Sequence, residues 1–390
     1  MYKLQTLNKI SPVGLELLRN SDFEVASEIL NPDGILVRSF NMLDMEIPAS
    51  VKAIARAGAG VNNIPVGDCS ERGIVVFNTP GANANGVKEL VLAGMLLASR
   101  NLISGVAWAK TLKGKGDAVP QLVEKGKSSF TGPEIKGKRL GVIGLGAIGV
   151  MVANDAVALG MEVVGFDPLI SVESAWRLSS KVGRARSIES LVAESDYITL
   201  HVPLNDKTKG MINGERLALM KKGVYILNFS RGGLVKNDAI FAALENGTVA
   251  NYITDFPDEE LLGHENVIAI PHLGASTPEA EDNCAVMAVN QMRDFLEMGN
   301  IKNSVNFPDC DLGRPAKNRI IIANRNVPNM VGQITTILAA EKINIADMLN
   351  RHKGDFAYNI IDVDGDVTGG IVDKLKTVEG VIMARLIAGE

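Results

Sequence analysis

Lys138-Arg139-Leu140-Gly141-Val142-Ile143-Gly144-Leu145-Gly146-Ala147-Ile148-Gly149 is the stretch that decides the fold. The short apolar run Leu140 to Ile143 reads as a buried strand. It breaks into three glycines spaced G-x-G-x-x-G, and an alanine-rich apolar run, Val150 to Leu159, follows as a helix. Met161 to Phe166 reads as a second strand with Asp167 at its end. In that setting each glycine has a task. Gly144 permits a tight turn, Gly146 lets a pyrophosphate approach the backbone, and Gly149 lets helix and strand pack closely. The helix start offers N–H groups and a positive dipole end to phosphates, and Ala147 and Ile148, between the last two glycines, join the expected cofactor site. Asp167 lies 18 residues past Gly149, where an acid meets a ribose hydroxyl and repels a 2′-phosphate, so the expected dinucleotide is NAD rather than NADP.

The rest of the composition narrows the function. A chain of 390 residues suggests two or three domains, and 46% apolar content supplies sizeable cores. A net charge of −5 gives no sign of a nucleic-acid surface. Met1 to Ile10 has no apolar run of signal-peptide type, and the most apolar segment, Leu90 to Ala98, is too short to span a membrane. Cys69, Cys284 and Cys310 are few, odd in number and far apart. They suggest neither disulfides nor a metal site and fit a reducing cytoplasm.

Because the glycine stretch sits mid-chain, the residues ahead of it need a home of their own. They read as a separate α/β unit with strands Gly34–Val37, Ala53–Ala55 and Ile74–Phe77, and a helix Val66–Arg72 stopped by Gly73. Arg38, Arg56 and the Gly81–Gly86 loop fall at strand ends, where ligands bind in parallel sheets. Arg38 and Arg56 are either solvated charges or ligands for a carboxylate or phosphate, and their placement favours the second. Val87 to Leu102 reads as one long buried helix, and Lys110 to Lys138 as a lysine-rich surface loop. Past Asp167 the alternation of strand and helix continues to a helix that opens at Pro278 and runs to about Met298. That helix can return the chain to the first unit. Val305 to Lys317, broken by Pro308, Gly313 and Pro315, reads as a linker, and the tail has a βαββαβ order.

Three strand ends in the nucleotide half supply Arg231, an acid among Asp258-Glu259-Glu260, and His272. Oxidation of an alcohol by hydride loss needs a base for the hydroxyl proton, and imidazole suits that near neutral pH. A carboxylate beside His272 would hold its orientation, and Arg231 could clamp a substrate carboxylate. His201, in His201-Val202-Pro203, also ends a strand, and beside Pro203 it reads as a wall of the cofactor pocket.

Arg56-Ala57-Gly58, Asn78-Thr79-Pro80, Gly141 to Gly149 with Asp167, His201-Val202-Pro203, Asn228 to Val235 and Pro271 to Thr277 together resemble the D-isomer-specific 2-hydroxyacid dehydrogenase family over roughly residues 30–305. The tail from about 318 resembles an ACT domain, an amino-acid-sensing module, through Asn326-Val327-Pro328 and Asn344-Ile345-Ala346-Asp347-Met348. The resemblance implies an α/β fold of two doubly wound parallel-sheet domains. A Rossmann NAD domain (93–275) is inserted in a flavodoxin-like substrate domain (1–92 and 276–306), followed by a linker (307–317) and a ferredoxin-like ACT domain (318–390).

The resemblance also implies Arg231, Glu260 and His272 as the catalytic set, with Glu259 the alternative if the family's Asp-Val-Phe-x-x-Glu pattern is matched with a gap. It adds Ser230, Asp255 and Gly274 to the NAD site. It places substrate on Arg38, Arg56, Ala59, Gly60 and Asn83 beside Arg231 and His272. Lys88 stands where relatives carry a small residue, and reads as a phosphate contact or a solvated lysine. The implied reaction is NAD-dependent oxidation of a phosphorylated hydroxy acid, D-3-phosphoglycerate, to 3-phosphohydroxypyruvate at the start of serine synthesis; the alternatives are another D-2-hydroxyacid dehydrogenase and a non-catalytic NAD(H)-sensing regulatory protein. A homo-oligomer, dimer or tetramer, is implied, with serine as candidate effector at Asn324, Asn326 and Asn344. Two departures weigh on that effector: Asn324 replaces the His of serine-sensing members, and Asn329 replaces a Gly.

Overall fold

Seven parallel strands carry the glycine stretch: β6 (Arg139–Ile143), β7 (Glu162–Phe166), β8 (Gly183–Arg184), β9 (Tyr197–Leu200), β10 (Val224–Asn228), β11 (Val249–Thr254) and β12 (Val267–Ala269), numbered after five that precede them. Their order is β12-β11-β10-β9-β6-β7-β8, so the chain reverses direction of travel between β6 and β9. That reversal opens a crevice beyond the carboxyl ends of those two strands. The strands are apolar on both faces: Leu140, Val142, Ile198, Leu200, Ile226 and Leu227 are all buried. This computed structural model describes residues 1–314, 317–365 and 367–388, and packing divides it into two units, 84–277 and 1–83 with 278–390. Pro315 of the expected linker lies outside the described residues.

The cut at Asn83/Ala84 puts the whole helix Ala84–Ser99 with the nucleotide sheet, whereas the expected boundary at 92 divides it. The reason is packing at Gly94, where a Cβ would lie 2.9 Å from the Phe229 ring and 3.1 Å from Ile253. The expected helix to Leu102 stops at Ser99: Asn101 turns left-handed at φ 49° and a second helix, Leu102–Thr111, begins. The lysine-rich stretch that follows is not a plain loop, since Val119–Gly126 is helical.

The other unit opens with a parallel sheet of β1 (Tyr2–Leu7), β2 (Phe23–Ala26), β3 (Gly34–Val37), β4 (Ala53–Arg56) and β5 (Val75–Phe77), in the order β2-β1-β3-β4-β5. The helix Pro278–Met298 returns to it. Its Cys284, Ala285, Ala288, Val289, Met292 and Phe295 share one core with Leu4, Leu36, Ala55 and Phe77. The tail forms an antiparallel sheet of β13 (Asn318–Arg325), β14 (Asn344–Lys353), β15 (Phe356–Asp364) and β16 (Val381–Ala388), ordered β14-β15-β13-β16. Helices Met330–Ala340 and Gly369–Lys376 cover one face through Ile320, Ile322, Ile361 and Val363.

The opposite face is not free. Ile321, Ala323, Tyr358 and Ile360 enter the same core as Phe77 and Phe295. The segment expected as a linker is therefore packed, with Phe307 and Cys310 buried and Asn306 bonded to Val76, Ser70 and Ile74. Pro308 and Gly313 break regular structure there, but the apolar residues between them still fill the core. Arg319, fully buried, pairs with Asp362 and donates to the carbonyls of Met298 and Gly313, stapling the tail to the segment before it.

Candidate active site

The glycines behave as the spacing requires. Gly144 sits at φ 93°, and a Cβ there would lie 2.4 Å from the carbonyl oxygen of His201. A Cβ on Gly149 would lie 2.0 Å from the Gly144 oxygen, so no side chain fits. Gly146 faces open space, precedes the helix Ala147–Ala158, and makes no side-chain cap. The helix therefore presents its first N–H groups to a ligand. Asp167 accepts from the N–H of Leu145 and of Leu169, each at 2.8 Å, which fixes the carboxylate while each oxygen keeps a lone pair. Val202 and Pro203 follow β9 across the crevice. The Val202 carbonyl accepts from the Ser230 hydroxyl at 2.5 Å, joining the ends of β9 and β10.

His201 bonds Thr199 through Nε2 at 2.9 Å, while its Nδ1 is buried with no partner. Although part of the residue is exposed, burial of the ring lowers its pKa to about 3, so the ring is neutral and cannot act as a proton carrier near neutrality. A sterically obligatory glycine cradle, an uncapped helix start, a fixed acid and an orphaned ring nitrogen all fit a dinucleotide.

The reacting groups lie on the same sheet edge. Asn228, fully buried at the end of β10, accepts from the Ser230 N–H and donates to the Arg231 carbonyl, which shapes the turn that carries Arg231. At the end of β11, Asp255 is 1% exposed and its two oxygens accept from the N–H groups of Leu273 and Gly274 at 2.7 and 2.8 Å. Those bonds hold the turn after β12, in which His272 takes a left-handed φ of 53°. Burial raises the Asp255 pKa, and these two bonds and His272 pull it back down. Phe256 stands between the reactive groups, its ring centroid 4.6 Å from that of His272 and 6.0 Å from the Arg231 guanidinium carbon.

The structure gathers Arg231 and His272, but not Glu260. Asn237 donates one amide hydrogen bond to Glu260 and another to Asp258, each 2.8 Å. Among the described residues neither Glu259 nor Glu260 bonds His272; the carboxylate bonded to its turn is Asp255. Asn228, Phe256 and Asn237 were given no site role from sequence. Asn228 opens the Asn228 to Val235 motif and Phe256 follows Asp255 at a strand end, which was the available signal, while Asn237 carries none.

In the other unit, Arg38 pairs with Glu281 at 2.6 Å, and Arg56 donates to the carbonyls of Arg38 and Gly60. Arg56 thus ties together the loops that bear Arg38, Ala59 and Gly60. Asn83 is half-buried at the last position of that segment. Lys88, on the nucleotide unit, is neither a solvated lysine nor a ready phosphate contact, because it pairs with Asp155 at 2.9 Å with its side chain 14% exposed.

In the tail, Asn324 is buried, donating to the Arg325 carbonyl and accepting from Asn359, so its amide is not available to an effector. Asn326 and Asn344 are exposed, bonded to the Gly354 carbonyl and to Asp364. Asn329 has φ 69°, a left-handed conformation that Asn tolerates and that suits the Gly implied there by the resemblance.

Residues 92–274 match the model of the D-isomer specific 2-hydroxyacid dehydrogenase NAD binding domain. A D-3-phosphoglycerate dehydrogenase of Methanocaldococcus jannaschii is 35% identical over 352 residues, covering 87% of this chain and 63% of its own length. The D-3-phosphoglycerate dehydrogenase of Haemophilus influenzae is 30% identical over 379 residues, covering 93% of this chain and 88% of its own length. The NAD+-bound structure of 3-phosphoglycerate dehydrogenase from Entamoeba histolytica aligns with a TM-score of 0.59 at 28% identity, over 78% of this chain and 98% of that one. The chain therefore spans less than two thirds of its Methanocaldococcus relative and most of the Haemophilus one. It belongs to the D-isomer specific 2-hydroxyacid dehydrogenase family, and the inserted unit is that family's NAD-binding domain.

Proposed function

We propose that the chain oxidises D-3-phosphoglycerate to 3-phosphohydroxypyruvate, the first step of serine synthesis. Bound NAD supplies the hydride acceptor. The side chains of this chain do the rest: an imidazole nitrogen of His272 takes the hydroxyl proton, and Arg231 holds the substrate carboxylate. Glu260, the family's acid by position, needs to leave Asn237 to reach His272. The observation that carries the reading is the convergence of Arg231 and His272 on Phe256, at the sheet edge that bears the glycine cradle. The near full-length likeness to the Haemophilus relative supports the choice of substrate. An absorbance assay for NADH with D-3-phosphoglycerate tests it, and no NADH formation by folded protein that binds NAD would count against it.

A second reading has its own support. Because Glu281 neutralises Arg38, the site also fits a dehydrogenase of an unphosphorylated 2-hydroxy acid. Comparing kcat/KM for phosphorylated and unphosphorylated acids separates the two. The exposed Leu102, Ile103 and Val106 on one helix support a homo-oligomer. Three buried thiols, each with its pKa raised by burial, suit a reducing compartment such as the cytoplasm. The tail's sheet order supports an ACT-like effector module in which Asn326 and Asn344, not Asn324, meet a ligand such as serine.

A further inference from the structure

Behind the start of the Gly81–Gly86 loop, the first unit holds a pocket of about 550 Å³ between the helix Pro278–Met298, the turn at Gly81-Ala82 and the segment Lys302-Asn303. Its wall contains an unusual polar group. Gln291 is 92% buried, and neither the oxygen nor the nitrogen of its amide has a hydrogen-bond partner. Leaving such a group unpaired is costly; both amide atoms are closed to solvent as the chain stands, and a polar ligand towards which the side chain turns would complete them.

Two charges in the same wall are also unpaired. Asp294 is half-buried, accepts only from Asn300 at 3.1 Å, and has no ion pair among the described residues. Burial accordingly raises its pKa, a bias that a neighbouring ammonium group would reverse. Lys302 at the rim likewise has no ion pair among the described residues. The floor, through Met287 and Ala82, is apolar.

We propose that this pocket binds a small zwitterion of the α-amino-acid class, with the ligand ammonium on Asp294, its carboxylate on Lys302 and a polar group on the Gln291 amide. A single anion would leave Asp294 unpaired and a single cation would leave Lys302 so. At about 550 Å³ the pocket has room for a ligand of amino-acid size or larger. The site is distinct from the tail positions Asn326 and Asn344. It lies one residue from Asn83, so occupancy can alter the loop that carries that residue.

Isothermal titration calorimetry of the full chain with each proteinogenic α-amino acid tests the proposal without reference to catalysis. At least one amino acid is expected to bind. Its Kd should rise about tenfold or more in Lys302→Gln and in Gln291→Met, while NAD affinity stays unchanged. The corresponding amine and the corresponding hydroxy acid, each lacking one charge, should also bind at least about tenfold more weakly. Lys302 is exposed, so its substitution reads out even if Gln291→Met fails to fold. Absence of binding by every amino acid overturns the proposal. So does binding that survives Lys302→Gln but is lost in Asn344→Ala, which would place the ligand on the tail.

Discussion

Glu260 and Asn237 share a 2.8 Å hydrogen bond, and the same amide donates to Asp258, so one neutral side chain bridges two carboxylates. The acid that the family pattern assigns to His272 is thereby held elsewhere in its loop. Asp255, by contrast, is bonded to the two N–H groups that follow His272. The two carboxylates therefore have separable tasks. Asp255→Asn puts an amide donor against an N–H group and should misplace the His272 turn, lowering kcat by about a hundredfold. Glu260→Gln should cost about tenfold, because it removes the charge that would hold a protonated His272 once Glu260 leaves Asn237. Steady-state kinetics across pH reads both. A normal kcat in Asp255→Asn, with a large loss in Glu260→Gln, would return the whole role to Glu260.

His272→Ala removes the only imidazole that, among the described residues, meets Phe256 beside Arg231, since His201 is neutral and bonded to Thr199. Turnover should fall by about 10² to 10⁴-fold, with NAD affinity retained when followed by quenching of protein fluorescence. Turnover within a factor of about two of wild type would remove His272 from the mechanism.

Asp167 is placed by Leu145 and Leu169 for a ribose contact. Asp167→Ala should weaken NAD binding and lift the repulsion of a 2′-phosphate, raising relative kcat/KM for NADP by at least about tenfold. The ratio of the two cofactors' kcat/KM values decides, and an unchanged ratio argues against the role.

The glycines invite a graded comparison. At Gly149 an added Cβ meets a backbone oxygen at 2.0 Å, whereas at Gly146 it meets nothing within 4 Å. Gly149→Ala should lower stability by about 1–3 kcal/mol, as overpacking does, seen as an earlier urea midpoint. Gly146→Ala should leave that midpoint in place and weaken NAD, because the methyl group intrudes only when the pyrophosphate is bound.

Much of this arrangement was legible in the residues. Strands such as Gly34–Val37 and Arg139–Ile143 are apolar on both faces and bounded by breaks, and the glycine spacing located the crevice. The N-terminal strand Tyr2–Leu7 was not legible, because only Leu4 is fully buried and Lys3, Gln5 and Thr6 dilute the pattern. Nor was the packing of residues 307–314, where proline and glycine signal a linker while Phe307 and Cys310 fill a core built from distant strands. In the site, His272 and Arg231 could be chosen because strand ends collect them. The partner of Glu260 could not, since Asn237 begins a helix 23 residues earlier and only the folded chain brings the two together.

His201 gives a pH prediction that does not depend on turnover. Its folded pKa lies near 3, below the unfolded value of about 6.5, so between those values the unfolded chain binds more protons than the folded one. Stability linked to this group is therefore present above about pH 6.5 and declines as pH falls toward 3. In His201→Gln the amide cannot titrate, and the decline over that window should be shallower. Urea midpoints at about pH 7 and about pH 5 for both proteins measure it. Equal losses in the two proteins would show that Nδ1 is solvated and that His201 is not the group which protonates on unfolding.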